Sequence, residues 1–239
     1  MKLLAEGKFQ KYTLYAIGEI FLVVVGILIA LQINNWNEAR KESALVVSYL
    51  EGIQEDLNKD IQLINEVLTE QSVSISLISS IDLVFTDAMV HAPDRYPELF
   101  NNVDKSRFTF LFYRGKSFRS INGNYNSLIS DGKSGLIKNR DLFAKLQGIY
   151  NERHRRIDSV YDSLKERDTQ INWTYAYQKR HWTYDDLEKA KDEKVFLDLA
   201  NFAEMKFFYA TDLVELKERI QEVIVLIENE VNLMSSSTT

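Results

Sequence analysis

The sequence predicts an all-α protein: a single N-terminal transmembrane helix followed by an antiparallel bundle of long helices with a short irregular insertion. Three observations carry this prediction. Residues 12–33 form an apolar run with one charge, and the apolar residues of the rest recur at intervals of three and four. Only two prolines occur in 239 residues, Pro93 and Pro97, and they are near neighbours. The mean hydropathy of −0.25 averages over these two kinds of sequence. Charge divides in the same way, with +1 over residues 1–36 and −7 over the remainder.

The apolar run reads YTLYAIGEIFLVVVGILIALQI from Tyr12 to Ile33, with Glu19 its only charged residue. As a helix it would extend about 33 Å, enough for a hydrocarbon core of about 30 Å. Tyr12 and Tyr15 at one end and Trp36 at the other are placed as interfacial anchors. The run exceeds a signal-peptide core, and Ala30-Leu-Gln-Ile-Asn-Asn-Trp36 contains no small-x-small cleavage site, so residues 12–36 are expected to be an uncleaved signal anchor. Lys2, Lys8 and Lys11 precede it, and Arg40 and Lys41 follow. The positive-inside rule then puts residues 1–11 in the cytoplasm and exports residues 37–235 across the membrane. Eleven residues would leave no room for an output domain, so any sensing would pass to another membrane protein.

A helical pattern follows from about Asn37 to His91, carried by Val46, Leu50, Ile53, Leu57, Ile61, Ile64 and Leu68, then Ile75 and Ile78. Ser72-Val-Ser-Ile-Ser-Leu77 alternates with period two, which also suits a strand; with no Gly or Pro before it, it is taken as helix. The two prolines then break the chain. Residues 92–138 are the irregular insertion. In it, Arg107-Phe-Thr-Phe-Leu-Phe-Tyr113 suits a short strand or an extended packed segment, and a short helix is expected near Asn124–Ser130. Asn139 is placed as the N-cap of the next long helix, through Leu142, Leu146, Tyr150, Ile157, Val160, Leu164 and Ile171 towards His181. Residues 183–194 read as a polar turn. The last helix has the cleanest stripe, from Phe202 through Tyr209, Leu213, Leu216, Ile220, Val223 and Ile227 to Met234, before a disordered tail at 236–239.

The continuous run from Lys11-Tyr-Thr-Leu-Tyr-Ala-Ile-Gly-Glu-Ile20 through Ile29-Ala-Leu-Gln-Ile-Asn-Asn-Trp-Asn-Glu38 resembles a family of single-pass inner-membrane proteins of Bacteroidota, grouped as a domain of unknown function. Tyr125-Asn-Ser-Leu-Ile-Ser-Asp-Gly132 and Leu136-Ile-Lys-Asn-Arg-Asp-Leu142 are similar to it too, and together these matches cover about a quarter of the chain. The resemblance implies an anchor in a bacterial inner membrane with a helical domain attached, which the expected orientation would put in the periplasm, and it brings no activity with it.

Composition excludes several chemistries. Without Cys there is no disulfide, thiolate nucleophile or Cys-ligated metal. A pI near 5.3 speaks against nucleic acid as a partner. Glu19 is the sharpest feature, because a carboxyl inside a spanning segment needs a partner helix, a water path or a counter-charge. At 100° per residue it shares a face with Tyr15, Leu22, Val23, Gly26, Ala30 and Ile33. Gly26 and Ala30 make a small-xxx-small pair that admits a second helix. Glu19, Gly26 and Ala30 are therefore the expected membrane-helix interface, with a proton relay through Glu19 as the functional alternative to a structural hydrogen bond.

Other candidates are weaker. Ser130-Asp-Gly-Lys-Ser134 resembles the end of a phosphate loop, but the position requiring the first Gly is Ser127, so a helix C-cap is expected. His154/Asp158 and His181/Asp185 have metal-compatible spacing with no third ligand. Arg153-His-Arg-Arg156 and Lys179-Arg-His181 could grip an anion, but read first as solvated faces paired with acids. Phe108, Phe110, Phe112, Tyr113 and Phe118 are expected in the core rather than at a ligand. No Ser, His and carboxylate are grouped for catalysis, so no catalytic residue, metal or cofactor is predicted. The expected function is a membrane-anchored scaffold or protein-interaction protein, a homo-oligomer or the companion of another membrane protein in the lipid bilayer. The alternatives are a periplasmic ligand-sensing bundle and an ion-coupled accessory subunit using Glu19.

Overall fold

In the computed structural model, residues 3–83 and 92–236 are described, those at 3–14 by their backbone alone. The described residues contain helices and no strands. Helix α1 is one unbroken rod from Leu3 to Ile81, 79 residues in which the apolar run and the first amphipathic stripe are continuous. At 1.5 Å per residue it is about 118 Å long. The last helix, α8 (Lys194–Ser236), lies antiparallel along its second half. Gln54 donates to Glu228 at 2.9 Å, Lys217 to Asn65 at 2.8 Å and Lys206 to Ser74 at 2.9 Å, α8 numbers falling as α1 numbers rise.

The insertion begins with α2 (Ala92–Arg95) and a 3-10 turn, Pro97–Leu99; both prolines open helical turns, where a missing N–H costs nothing. His91 and the end of the first predicted helix at 84–91 lie outside the described residues. The strand expected at 107–113 is instead a 3-10 segment, Lys105–Phe112, capped by the Asp104 side chain, which accepts from the Ser106 N–H at 3.0 Å. Alternation misled because burial follows helical spacing: Phe108, Leu111 and Phe112 point inward and Phe110 is only half-buried. Helix α3 (Gly123–Ser130) ends in a Schellman turn, with Gly132 at φ +66° and Lys133 N–H donating to Leu128 O at 3.1 Å. The phosphate-loop look-alike is thus a C-cap.

Asn139 caps α4 (Arg140–Gln147) as expected, its side chain accepting from Leu142 N–H at 3.1 Å. The long third helix is less regular than its stripe suggests. A π-helical segment at Gly148–Arg153 precedes α5 (His154–Thr174), and Tyr175 leaves helical geometry before α6 (Ala176–His181). The π turn holds both Ile149 and Tyr150 inward, Tyr150 stacking on Tyr125 with centroids 4.3 Å apart, before Ile157, Leu164 and Ile171 resume the stripe. The polar turn at 183–194 contains α7 (Tyr184–Lys189), whose entry Asp186 fixes by accepting from Thr183 N–H at 2.8 Å. Helix α5 also runs antiparallel to α8: Arg153 meets Glu215 at 3.1 Å, Arg156 meets Asp212 at 3.0 Å and Arg167 meets Asp198 at 3.7 Å. Of the basic cluster 153–156, Arg153 and Arg156 are paired with acids, whereas the His154 ring turns inward against Phe118 and Tyr150.

One core joins α1, α5 and α8 with the insertion packed against it. The period-two serines of α1 owe their pattern to burial on every side, since residues 71–78 are all buried. Apolar positions meet the other helices, while the serines bind the backbone of the insertion: Ser74 Oγ donates to Phe110 O at 3.0 Å and Ser76 Oγ to Leu99 O at 3.1 Å. Two carboxylates one turn apart do the same for the second part of the insertion. Asp60 accepts from Ile121 N–H at 2.8 Å and Ser120 Oγ at 2.9 Å, and Asp56 from Asn124 N–H at 3.1 Å. Gly52 admits this close approach, because a Cβ there would lie 2.6 Å from the Asn124 side chain.

Candidate functional site

The expected interface residues sit on the half of α1 that no other described residue covers. Glu19, Gly26 and Ala30 are exposed, and a Cβ built on Gly26 would meet nothing within 4 Å. Tyr15 is exposed, and Trp36 lies under the Arg40 guanidinium at 5.5 Å; the Tyr12 side chain lies outside the described residues. An 18-residue window of this helix has mean hydropathy 2.5 with none of it buried, long and apolar enough to cross a membrane. Helix geometry puts Glu19, Gly26 and Ala30 on one face, but no second helix among the described residues approaches it.

The metal and anion candidates are separated by the fold. His154 is half-buried with its ring against Tyr150 and Phe118, and desolvation pulls its pKa from 6.5 down to about 4, while Asp158 is exposed. Neither His154 Nε2 nor Tyr150 Oη has a hydrogen-bond partner among the described residues. His181 packs on Tyr177, whereas Asp185 pairs with Lys105 at 3.6 Å. Among the described residues no three metal-ligating side chains converge. Lys179 donates to Asn172 at 2.6 Å and lies over the Tyr113 ring at 3.8 Å. Of the aromatic run, Phe108, Phe112 and Phe118 are core; Phe110 and Tyr113 instead line a cavity.

That cavity, about 370 Å³, lies between α1, the loop after the 3-10 segment, α5 and α8. Helix α1 contributes Glu70, Gln71 and Ser74; the loop contributes Tyr113, Arg114, Gly115 and Lys116; α5 contributes Asp168 and α8 Lys206. Gly115 has φ +78°, and Gln71 Nε2 would lie 2.6 Å from a Cβ there, so the turn is glycine's by conformation and by space. Gln71 locks it by donating to Arg114 O at 2.8 Å.

Around this turn the charges are arranged with few spare contacts. Arg114 Nη1 pairs with Asp168 Oδ2 at 3.0 Å, its Nε donates to Tyr161 Oη at 3.0 Å, and its backbone N–H donates to Asp168 Oδ1 at 2.9 Å. Glu70 Oε2 accepts from Lys116 N–H at 3.1 Å. Lys206 is 1% exposed; its Nζ donates to Ser74 Oγ at 2.9 Å and Phe110 O at 2.8 Å and lies 4.5 Å from the Phe202 ring centroid. No carboxylate bonds to it, and burial lowers its pKa from 10.5 to about 7 against the opposing pull of Asp168 and Glu70. A buried amine on the wall of a cavity that carries charges of both signs is an arrangement suited to binding a small polar molecule.

The charged residues of this cavity, Glu70, Arg114, Lys116, Asp168 and Lys206, belong to no sequence motif, unlike Phe110 and Tyr113 of the aromatic run. One signal was available: Lys206 is four residues after Phe202 and three before Tyr209, in phase with the apolar stripe, where a lysine has no place unless its amine is used. The others come together from four separate segments, and nothing local marks them.

Residues 19–178 match a family of unknown function (DUF6090). That match spans well over half of the chain, which belongs to this family. No curated protein and no solved structure matches it.

Proposed function

We propose that this chain is a single-pass sensory protein of a bacterial inner membrane, with its N-terminus cytoplasmic and its helical domain in the periplasm. It would bind a small ligand in the cavity and pass occupancy to a membrane partner. The observation that carries this reading is the continuity of α1: one unbroken helix holds the exposed apolar stretch and, at Glu70, Gln71 and Ser74, a wall of the cavity. From Ile33 to Glu70 is about 56 Å of rigid helix, so a tilt or rotation imposed at the cavity is delivered to the span. The charge asymmetry around the span supports the orientation. Scaffolding alone, the simpler function, uses the same Glu19, Gly26 and Ala30 face for a second copy or another membrane protein. The cavity favours sensing over it, because a scaffold has no need of an uncompensated amine in its core.

The chain contains no cysteine, so single cysteines report cleanly. A C-terminal reporter should be active only outside the cytoplasm; cytoplasmic activity overturns the orientation. With Val23→Cys on the proposed interface, oxidation should give a cross-linked pair. Adding Arg114→Ala, which releases Asp168 in the cavity wall, should change the yield at least twofold. A yield indifferent to the cavity variant overturns sensing and leaves scaffolding.

A further inference from the structure

We propose that the cavity takes a free α-amino acid, its carboxylate held by Lys206 and Arg114, its ammonium by Glu70, and its side chain against Phe110 and Tyr113. This rests on the ligand-binding reading above and names the ligand class.

Three groups on the cavity wall have unspent hydrogen-bonding capacity. A lysine ammonium carries three N–H donors, and Lys206 uses two, on Ser74 Oγ and Phe110 O. Arg114 uses Nε, Nη1 and its backbone N–H, leaving the Nη2 edge of the fork without a partner among the described residues. Glu70 uses Oε2 and leaves Oε1 without a partner among the described residues. All three groups line one cavity. Two cationic donors and one anionic acceptor match a zwitterion; a plain carboxylic acid would leave Glu70 unmatched, and a plain amine would leave Lys206 and Arg114 unmatched.

Asp168 does not compete for the ammonium, because both its oxygens are occupied by Arg114 and Asn172. Lys116 is committed outward to Glu66 at 3.3 Å. Phe110 and Tyr113 supply apolar surface on the same wall, and about 370 Å³ accommodates a branched or aromatic side chain. A carboxylate beside Lys206 would also supply the counter-charge the protein withholds. The charged groups facing this amine are Asp168 from α5, Glu70 from α1 and Arg114 and Lys116 from the loop. Since burial has brought the amine's pKa to about 7, binding at pH 8 should draw a proton onto it.

The test is calorimetry on the full chain in detergent at pH 8 with L-phenylalanine and L-leucine, beside 3-phenylpropionate, which lacks the ammonium, and phenethylamine, which lacks the carboxylate. At least one amino acid should bind, with both truncated analogues tenfold or more weaker. Glu70→Gln should erase the preference for phenylalanine over 3-phenylpropionate. It leaves an amide oxygen for the Lys116 N–H, so it tests recognition rather than folding. Lys206→Met should weaken every carboxylate-bearing probe. Titrations in buffers of different ionisation enthalpy should show uptake of roughly one proton in the wild type and none in Lys206→Met. Equal binding of phenylalanine and 3-phenylpropionate overturns the zwitterion, as does the absence of binding by any probe. Sensing itself stands or falls separately, by the response of the Val23→Cys cross-link to Arg114→Ala.

Discussion

The two halves of α1 invert one another. Before residue 46 the helix exposes Ile20, Phe21, Leu22, Ile27 and Leu28, while beyond it Asp56, Asp60, Gln71, Ser74 and Ser76 are buried. Solvation accounts for both. The first half has no apolar cover among the described residues and is long and apolar enough to cross a membrane. The second half is wrapped by an irregular segment whose backbone groups need partners, and the buried serines and aspartates of α1 supply them. A continuous helix thus solves two opposite problems, and hydropathy alone would assign its buried half to the surface.

The bluntest way to break the comparison is to make one substitution in both halves. Leu57→Ala opens a cavity at a fully buried position and should cost the extramembrane domain about 2–5 kcal/mol, read by denaturant unfolding in detergent. Leu28→Ala, exposed in the chain, should leave that transition unmoved. A matching loss at Leu28 would mean that the apolar half packs on the domain after all.

A second test uses pH. Lys206 holds its proton less readily folded than unfolded, so between about 7 and its ordinary 10.5 the unfolded chain carries the extra proton. Stability should therefore rise with pH across that window, by an amount on the order of a few kcal/mol, and level off below 7 where both states are protonated. Lys206→Met should flatten the rise. At acid pH two desolvated groups oppose each other. Burial pulls His154 down to about 4, which favours folding as pH rises towards 6.5, whereas burial pushes Asp60 up to about 6, which disfavours folding as pH rises from 3.8. The wild type should be nearly flat from pH 4 to 6. His154→Phe should expose the Asp60 slope, with melting temperature falling as pH rises through that range.

Sharper still is Ser76, whose hydroxyl both donates to Leu99 O and accepts from Asn102 N–H at 3.0 Å. Ser76→Ala strands two backbone groups and should cost about 1–3 kcal/mol, an effect that a surface serine lacks. Its neighbourhood shows why part of the fold was legible and part was not. The stripes of α1 and α8, the Asn139 cap and the Gly132 turn follow from local pattern, and each is where the sequence put it. The 3-10 segment at 105–112 and the π turn at 148–153 are set by what they pack against: Phe110 O is fixed by Ser74 and Lys206, and Tyr150 by Tyr125. The cavity is less legible again, because Glu70, Arg114, Asp168 and Lys206 are separated by dozens of residues and meet only through the antiparallel arrangement. A lone lysine in an apolar stripe was the one trace of it.

The smallest expected effect lies in the exposed half. If Glu19, Gly26 and Ala30 form a contact between spans, Gly26→Leu should weaken association in detergent by about 1–2 kcal/mol, five- to thirtyfold in the dimerisation constant by sedimentation equilibrium. Leu28 lies half a turn around the helix from Glu19, so Leu28→Ala should leave association unchanged. Glu19→Gln keeps a side chain able to donate and accept and should preserve the dimer. An interfacial hydrogen bond tolerates that change, whereas a proton relay does not. A monomer indifferent to Gly26→Leu would remove the interface, and α1 would then have an exposed half that serves only to anchor. The modest size of the effect is physical: separated spans exchange one apolar environment for another, so only close packing and the single carboxyl distinguish the pair from its parts, whereas every substitution in the buried half is measured against water.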